Sequence, residues 1–268
     1  GSGKETYKEI MLTDHHCHLQ DKTILPHLNH VLKNAAQKGI TKFICCGTSE
    51  EDWQTILDLS KNYTQILPAI GIHPWFVEKV STKWNAQLQN FLKKNPTCLI
   101  GEIGLDLHFC KETINKQKVI FSEQLEIAKA FHRPVSVHNL KAWHLVLPVI
   151  EKYSEINIML HSFSASTEIT EKLAKHPNIY FSLSGSILNP SQKMEKVISR
   201  LPLDKILLET DSPFLLQKID KITNHEYNEP ANLIFSLEKL AKIRKLDSDF
   251  LKQHLAKNSN RFLFQSVV

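Results

Sequence analysis

The stretch CLIGEIGLDLHFCKETINKQKVIFSEQLEIAKAFHRPVSVH, residues 98–138, reads as strand, helix, strand. Cys98–Ile103 is a short apolar run of strand length. Thr113–Phe131 has helical spacing of apolar residues. Pro134–Val137 is a second apolar run. Parallel neighbours need a crossover of a dozen or more residues, usually a helix, and this spacing supplies one. Both runs end in a residue of metal-binding or acid–base type, Glu102 and His138.

The same unit recurs along the chain. Strand-like runs occur at Glu9–Thr13, Lys42–Cys46, Gln65–Ile70, Ile156–Leu160, Ile179–Leu183 and Lys205–Glu209. Helical segments lie between them, at Leu28–Gln37, Asp52–Lys61, Trp84–Lys94, Ala142–Tyr153, Glu168–Lys175 and Ser191–Arg200. Two more, Glu229–Ile243 and Ser248–Leu263, close the chain. Ser49 with Asp52 marks one helix start; Asn189 as cap, Pro190 at the first helical position and Gln192 mark another. Strand–helix alternation without a break in composition predicts an α/β fold, a (β/α)8 TIM barrel. A single domain over residues 4–268 is expected, with Gly1-Ser2-Gly3 set aside as an expression scar.

Composition narrows the function classes. The five Cys, at positions 17, 45, 46, 98 and 110, form no C-x-x-C pair, which argues against a disulfide framework or a zinc knuckle. Long apolar stretches are absent, so a soluble, cytoplasmic protein without a membrane role is expected. A net charge of +5 mildly favours an anionic partner. Fourteen His raise the expectation of metal chemistry.

The chemical residues fall at equivalent places. Asp14, His16 and His18 follow the first strand, and two-residue spacing on an extended chain turns both His to one side, with Cys17 turned away. Glu102, His138, His161 and Asp211 stand at the ends of strands four, five, six and eight. In a TIM barrel those ends converge on the active site. Six such groups buried in one mouth call for bound cations to pair them. Carboxylate with imidazole suits Zn, Mn, Fe or Ni, and Mg only with more oxygen ligands.

Asp14-His15-His16-Cys17-His18-Leu19, Gly71-Ile72-His73-Pro74, Gly101-Glu102-Ile103-Gly104-Leu105-Asp106, Val137-His138, Leu160-His161-Ser162-Phe163 and Glu209-Thr210-Asp211-Ser212-Pro213 together resemble the TatD family of metal-dependent deoxyribonucleases, within the amidohydrolase superfamily. The similarity runs from residue 14 to about residue 230. The resemblance implies two divalent ions, Mg or Mn for activity, with Zn also fitting the site. One ion is held by His16, His18, Glu102 and Asp211; Glu102 bridges to a second held by His138 and His161. A water between them is the implied nucleophile, with Asp211 orienting it or taking its proton.

The substrate side departs from the family pattern. Leu140 stands where an Arg is usual, Leu107-His108 where a Tyr is favoured, and Asn224-His225-Glu226 where Arg-Gly-Lys is favoured. Substrate contacts are expected from His73, Asn139, Lys141, Phe163, Ser184, Gly185 and His225. Of the aromatics able to stack a base, Trp75, Phe76, Phe163 and Trp143, at least two are expected in the core. The expected activity is phosphodiester hydrolysis at DNA ends or on single strands. The rivals are another superfamily hydrolase cutting an ester, amide or lactone, a subunit working with protein partners in a larger complex, and a non-catalytic binding protein. Glu102, where such ester or amide hydrolases often carry a carbamylated Lys, weighs against the first.

Overall fold

The computed structural model describes residues 11–218 and 226–264. Among these, eight parallel strands pair in chain order: Leu12–Cys17 (β1), Ile40–Cys46 (β2), Ile66–Ile70 (β3), Leu99–Asp106 (β4), Val135–Leu140 (β5), Ile158–Leu160 (β6), Ile179–Leu183 (β7) and Ile206–Leu208 (β8). Helices Leu28–Gln37 (α1), Glu50–Asn62 (α2), Trp84–Lys94 (α3), Ile114–Phe131 (α4), Trp143–Ile150 (α5), Thr167–Ala174 (α6) and Gln192–Arg200 (α7) connect them. Leu233–Arg244 (α8) and Ser248–Phe264 (α9) follow. The fold is the expected (β/α)8 barrel. No described helix is long and apolar enough to cross a membrane.

The seam between β1 and β8 is closed by backbone bonds just beyond β8. Asp211 N donates to His16 O at 2.8 Å and His18 N to Ser212 O at 2.7 Å. The Asp14 carboxylate reinforces it by accepting from Thr210 N and Oγ1.

Two apolar layers follow from strand alternation. Side chains such as Phe43, Ile100, Ile103 and Phe181 pack outward against the helices with Trp53 and Phe121. A smaller cluster of Ile44, Cys46, Ala69, Leu99, Met159, Tyr180 and Leu207 fills the barrel's lower interior. Phe262 from α9 joins that cluster and stoppers the end opposite the mouth. Cys45 and Cys46 are core residues, as their apolar setting suggested.

Several boundaries differ from the sequence reading. β1, β4 and β5 run three to four residues further, so Asp14, His16 and His138 fall within strands, and Glu102 sits mid-strand with Asp106 at the end of β4. Polar side chains signalled loop, but here each is buried or half-buried inside the mouth. β4 carries a register shift between Ile100 and Ile103. Strict alternation from Leu99, which faces the interior, would send Glu102 outward; the shift turns it in. Ser191, not Asn189, caps α7, accepting from Met194 N, because a 3-10 turn at Gly185–Leu188 leaves Asn189 and Pro190 outside the helix. α8 starts at Leu233 because Pro230–Asn232 is a separate 3-10 turn. The Ser49/Asp52 capping box of α2 is present.

Gly104 explains the spacing of G-E-x-G. Its φ of +143° is closed to L side chains, and a Cβ there would collide with the His138 carbonyl. β4 and β5 can therefore approach closely just where each contributes a group to the mouth.

Candidate metal centre

The six sequence-predicted ligand residues meet around Glu102. Its two oxygens face different neighbours. Oε2 lies 3.3 Å from His16 Nε2 and 3.7 Å from His18 Nε2. Asp211 Oδ1 completes that side at 3.7 and 3.3 Å from the same two nitrogens. Oε1 lies 3.0 Å from His138 Nδ1, 3.6 Å from His161 Nε2 and 3.5 Å from His73 Nε2. His16, His18 and Glu102 lie close enough to share one cation, and Glu102 belongs as well to a second cluster on its other side with His138.

Partners on the far side of each ring decide which nitrogen is free. His18 Nδ1 donates to the Cys46 carbonyl at 2.8 Å, so once the ring is neutral its Nε2 lone pair faces Glu102 and Asp211. His16 Nδ1 contacts Ser136 Oγ at 2.9 Å, and its Nε2 is buried without a hydrogen-bond partner. An orphaned buried nitrogen of this kind fits a cation. His138 Nε2 meets Asp106 Oδ2 at 3.2 Å, and His161 Nδ1 meets Glu209 Oε1 at 2.8 Å. Carboxylates behind metal-binding imidazoles fix ring orientation and raise ligand basicity.

His73 differs. Its Nδ1 accepts from Trp75 N at 3.1 Å, so the neutral ring carries its proton on Nε2. It presents a donor to the mouth, not a lone pair.

Electrostatics follow from burial against charge. Burial alone would raise the Glu102 carboxyl, but His73, His161, His16 and the His138 hydrogen bond hold it well below the usual range. Burial would lower His161, yet Glu209, Glu102 and Asp211 raise it to about 10. The balance at His18 is similar: Asp211 outweighs burial and lifts the ring to about 9. In His16 and His73 burial wins and both are lowered. The mouth thus balances its carboxylates with ring protons, which a cation can replace. Asp211 and Ser162 have left-handed backbones, φ 57° and 43°, uncommon for non-glycine residues and held here by bonds to His16 O and Glu209.

The expected substrate residues scatter. Lys141 is exposed at the rim, with Nζ 3.1 Å from His108 Nδ1. Ser184 is buried and shares hydroxyl bonds with Ser162 and Ser186; Gly185 is buried at the start of its turn. Asn139 follows His138, with both amide atoms buried and unpartnered. Phe163 is a correction: it packs edge-on against Phe181 and Trp143 in the core and has no free face for a base. His225 lies outside the described residues.

Sequence reasoning missed Asp106 and Glu209. Asp106 sits four residues past Glu102, on the same face of the strand that continues. Glu209 precedes Asp211 by two. Glu209→Gln is expected to keep the fold and weaken metal affinity about 10–100-fold. Calorimetric titration with Mn²⁺ reads this, and unchanged affinity would remove Glu209 from its orienting role.

The family model described as TatD related DNase matches residues 13–264. The "Uncharacterized metal-dependent hydrolase YjjV" of Escherichia coli (strain K12) is 30% identical over 251 residues, covering 92% of this chain and 95% of that protein. Deoxyribonuclease TATDN3 of Homo sapiens is 27% identical over 248 residues, 88% of each chain. The crystal structure of the E. coli YjjV TatD homolog superposes with a TM-score of 0.87 at 28% identity, covering 94% of this chain and 97% of that one.

Proposed function

The chain belongs to the family of TatD-related DNases and is a metal-dependent hydrolase, and on that footing we propose that it trims the ends of DNA strands by phosphodiester hydrolysis, with two divalent ions sharing Glu102. The observation that carries the reading is the division of Glu102: one oxygen toward His16 and His18, the other toward His138 and His161. His16, His18, Asp211 and Glu102 would hold one ion, and His138, His161 and Glu102 the other. Bound there, the ions would lower the pKa of a water and offset charge on the phosphate. The imidazole-rich donor set favours Mn or Zn over Mg in affinity.

This chain's own groups do the rest. Asp211, at the solvent edge of the cluster, orients the attacking water and accepts its proton. His73 donates its Nε2 proton toward a substrate oxygen. Asp106 and Glu209 keep His138 and His161 in one orientation. End trimming is favoured because position 140, where the family pattern favours an Arg, carries Leu140, and the rim cation seen beside the site among the described residues is Lys141, at 3.1 Å from His108 Nδ1. A terminal nucleotide needs few phosphate contacts, whereas gripping a duplex needs many.

The test compares linear and circular single strands of equal length with Mn²⁺. An end trimmer digests the linear strand and leaves the circle intact. Binding to the linear strand should weaken with salt at a slope of about −0.7 per contact, for roughly two to four contacts. Circles cut at a comparable rate would refute end trimming. No phosphodiester turnover, together with turnover of an ester or lactone, would refute the substrate class.

A further inference from the structure

Trp75 and Phe109 are large apolar residues left open to solvent at the mouth, 51% and 64% exposed. Their rings lie 5.3 Å apart at 77°, forming an edge-to-face corner in which each residue keeps half or more of its surface open to solvent. The corner is built, not incidental. Trp75 Nε1 donates to Asp106 Oδ2 at 2.8 Å, and the backbone N–H groups of His108 and Phe109 donate to Asp106 Oδ1 at 2.7 and 2.8 Å. Oδ2 also meets His138 Nε2 at 3.2 Å. One carboxylate thus ties the aromatic corner to a ring that faces Glu102.

Charge beside the corner says what it fits. The His108 ring packs 4.5 Å from Phe109, and Lys141 Nζ donates to His108 Nδ1. A flat apolar face with a cation at its edge, adjoining the hydrolytic centre, complements a nucleotide: a base for the rings, a phosphate for the ammonium. Bases inside a duplex have both faces covered by neighbours, so the guest that fits is unpaired.

The geometry points to Trp75 and Phe109 as a stacking subsite for an unpaired base at the end of a strand, flanked by Lys141, with Asp106 as the positioning residue. The inference rests on the phosphodiesterase reading, and it supplies a grip on a strand end that does not depend on charge alone. Stacking makes the grip tolerant of sequence and less sensitive to salt than phosphate contacts alone.

The experiment uses the metal-loaded full chain and two labelled oligothymidines of one length, one ending in thymidine and one in abasic residues. The wild type should favour the base-bearing end roughly ten- to hundredfold in kcat/KM, mainly through KM. In Trp75→Leu and Phe109→Ala that ratio should fall to within about threefold of unity, and Trp75→Phe should restore part of it. An equal fall on both substrates would mark the residues as structural and overturn the subsite, as would an unchanged ratio. If the wild type cuts neither strand, the phosphodiesterase reading fails by itself. Equilibrium binding of the same two strands by fluorescence anisotropy then decides the subsite: loss of base preference in Trp75→Leu upholds it, and equal binding of both strands by the wild type overturns it.

Discussion

Glu102→Gln is expected to lower hydrolysis by more than about a thousandfold, because in the proposed two-ion arrangement the parts act as a unit. The amide keeps the size of the carboxylate and loses what matters here. Only one of its two atoms can accept, while Glu102 faces nitrogen ligands with both oxygens. Whichever way the amide turns, its NH2 group points at one half of the cluster. A carboxylate held far below its usual range by several imidazoles is also the main anionic charge they share. Metal content measured on the purified variant should fall together with turnover, while circular dichroism shows the barrel intact. Turnover within tenfold of wild type, with metal retained, would displace Glu102 from the centre.

Chelating the metal should lower the melting temperature by about 8–16 °C relative to protein in Mn²⁺ at a thousandfold excess over Kd. Such binding contributes about 4 kcal/mol, and a chain near this size shifts roughly 2–4 °C per kcal/mol. The gap should depend on pH in a defined direction. His18 and His161, raised to about 9 and about 10, hold protons at neutral pH, and only the neutral ring binds a cation. Metal affinity therefore rises with pH below those values, by about tenfold per unit for each proton displaced. Melting curves with and without chelator at pH 6 and pH 8 should show the wider gap at pH 8. An equal gap, or a wider one at pH 6, would mean the ions bind away from these rings.

The barrel was legible because its periodicity is plain: every strand-like run became a strand, and crossover lengths admitted only parallel neighbours. Strand ends were less legible where polar residues continue a strand. Asp14, His16 and His138 resemble loop residues by type, and burial inside the mouth keeps them extended. The register shift in β4 has no mark in composition beyond its glycines, yet it decides which way Glu102 points. The six candidate ligand residues stood out by type at equivalent places, and the structure brings their side chains together. Asp106 and Glu209 were not, because each acts through another side chain. Rim residues were the hardest: Phe163 and Trp75 look alike in sequence, and only packing separates a core ring from an exposed one.

The seam that closes the barrel has a consequence for the order of synthesis. His16 and His18 leave the ribosome first, and Asp211, which meets them across that seam, follows nearly two hundred residues later. Thr210 and Ser212, which bind back to the first strand, come with it. A nascent chain short of its eighth strand can gather imidazoles but cannot set the last carboxylate beside them. Assembly of the cluster is therefore timed by the spacing along the chain, and it is incomplete until the two edges of the sheet have met.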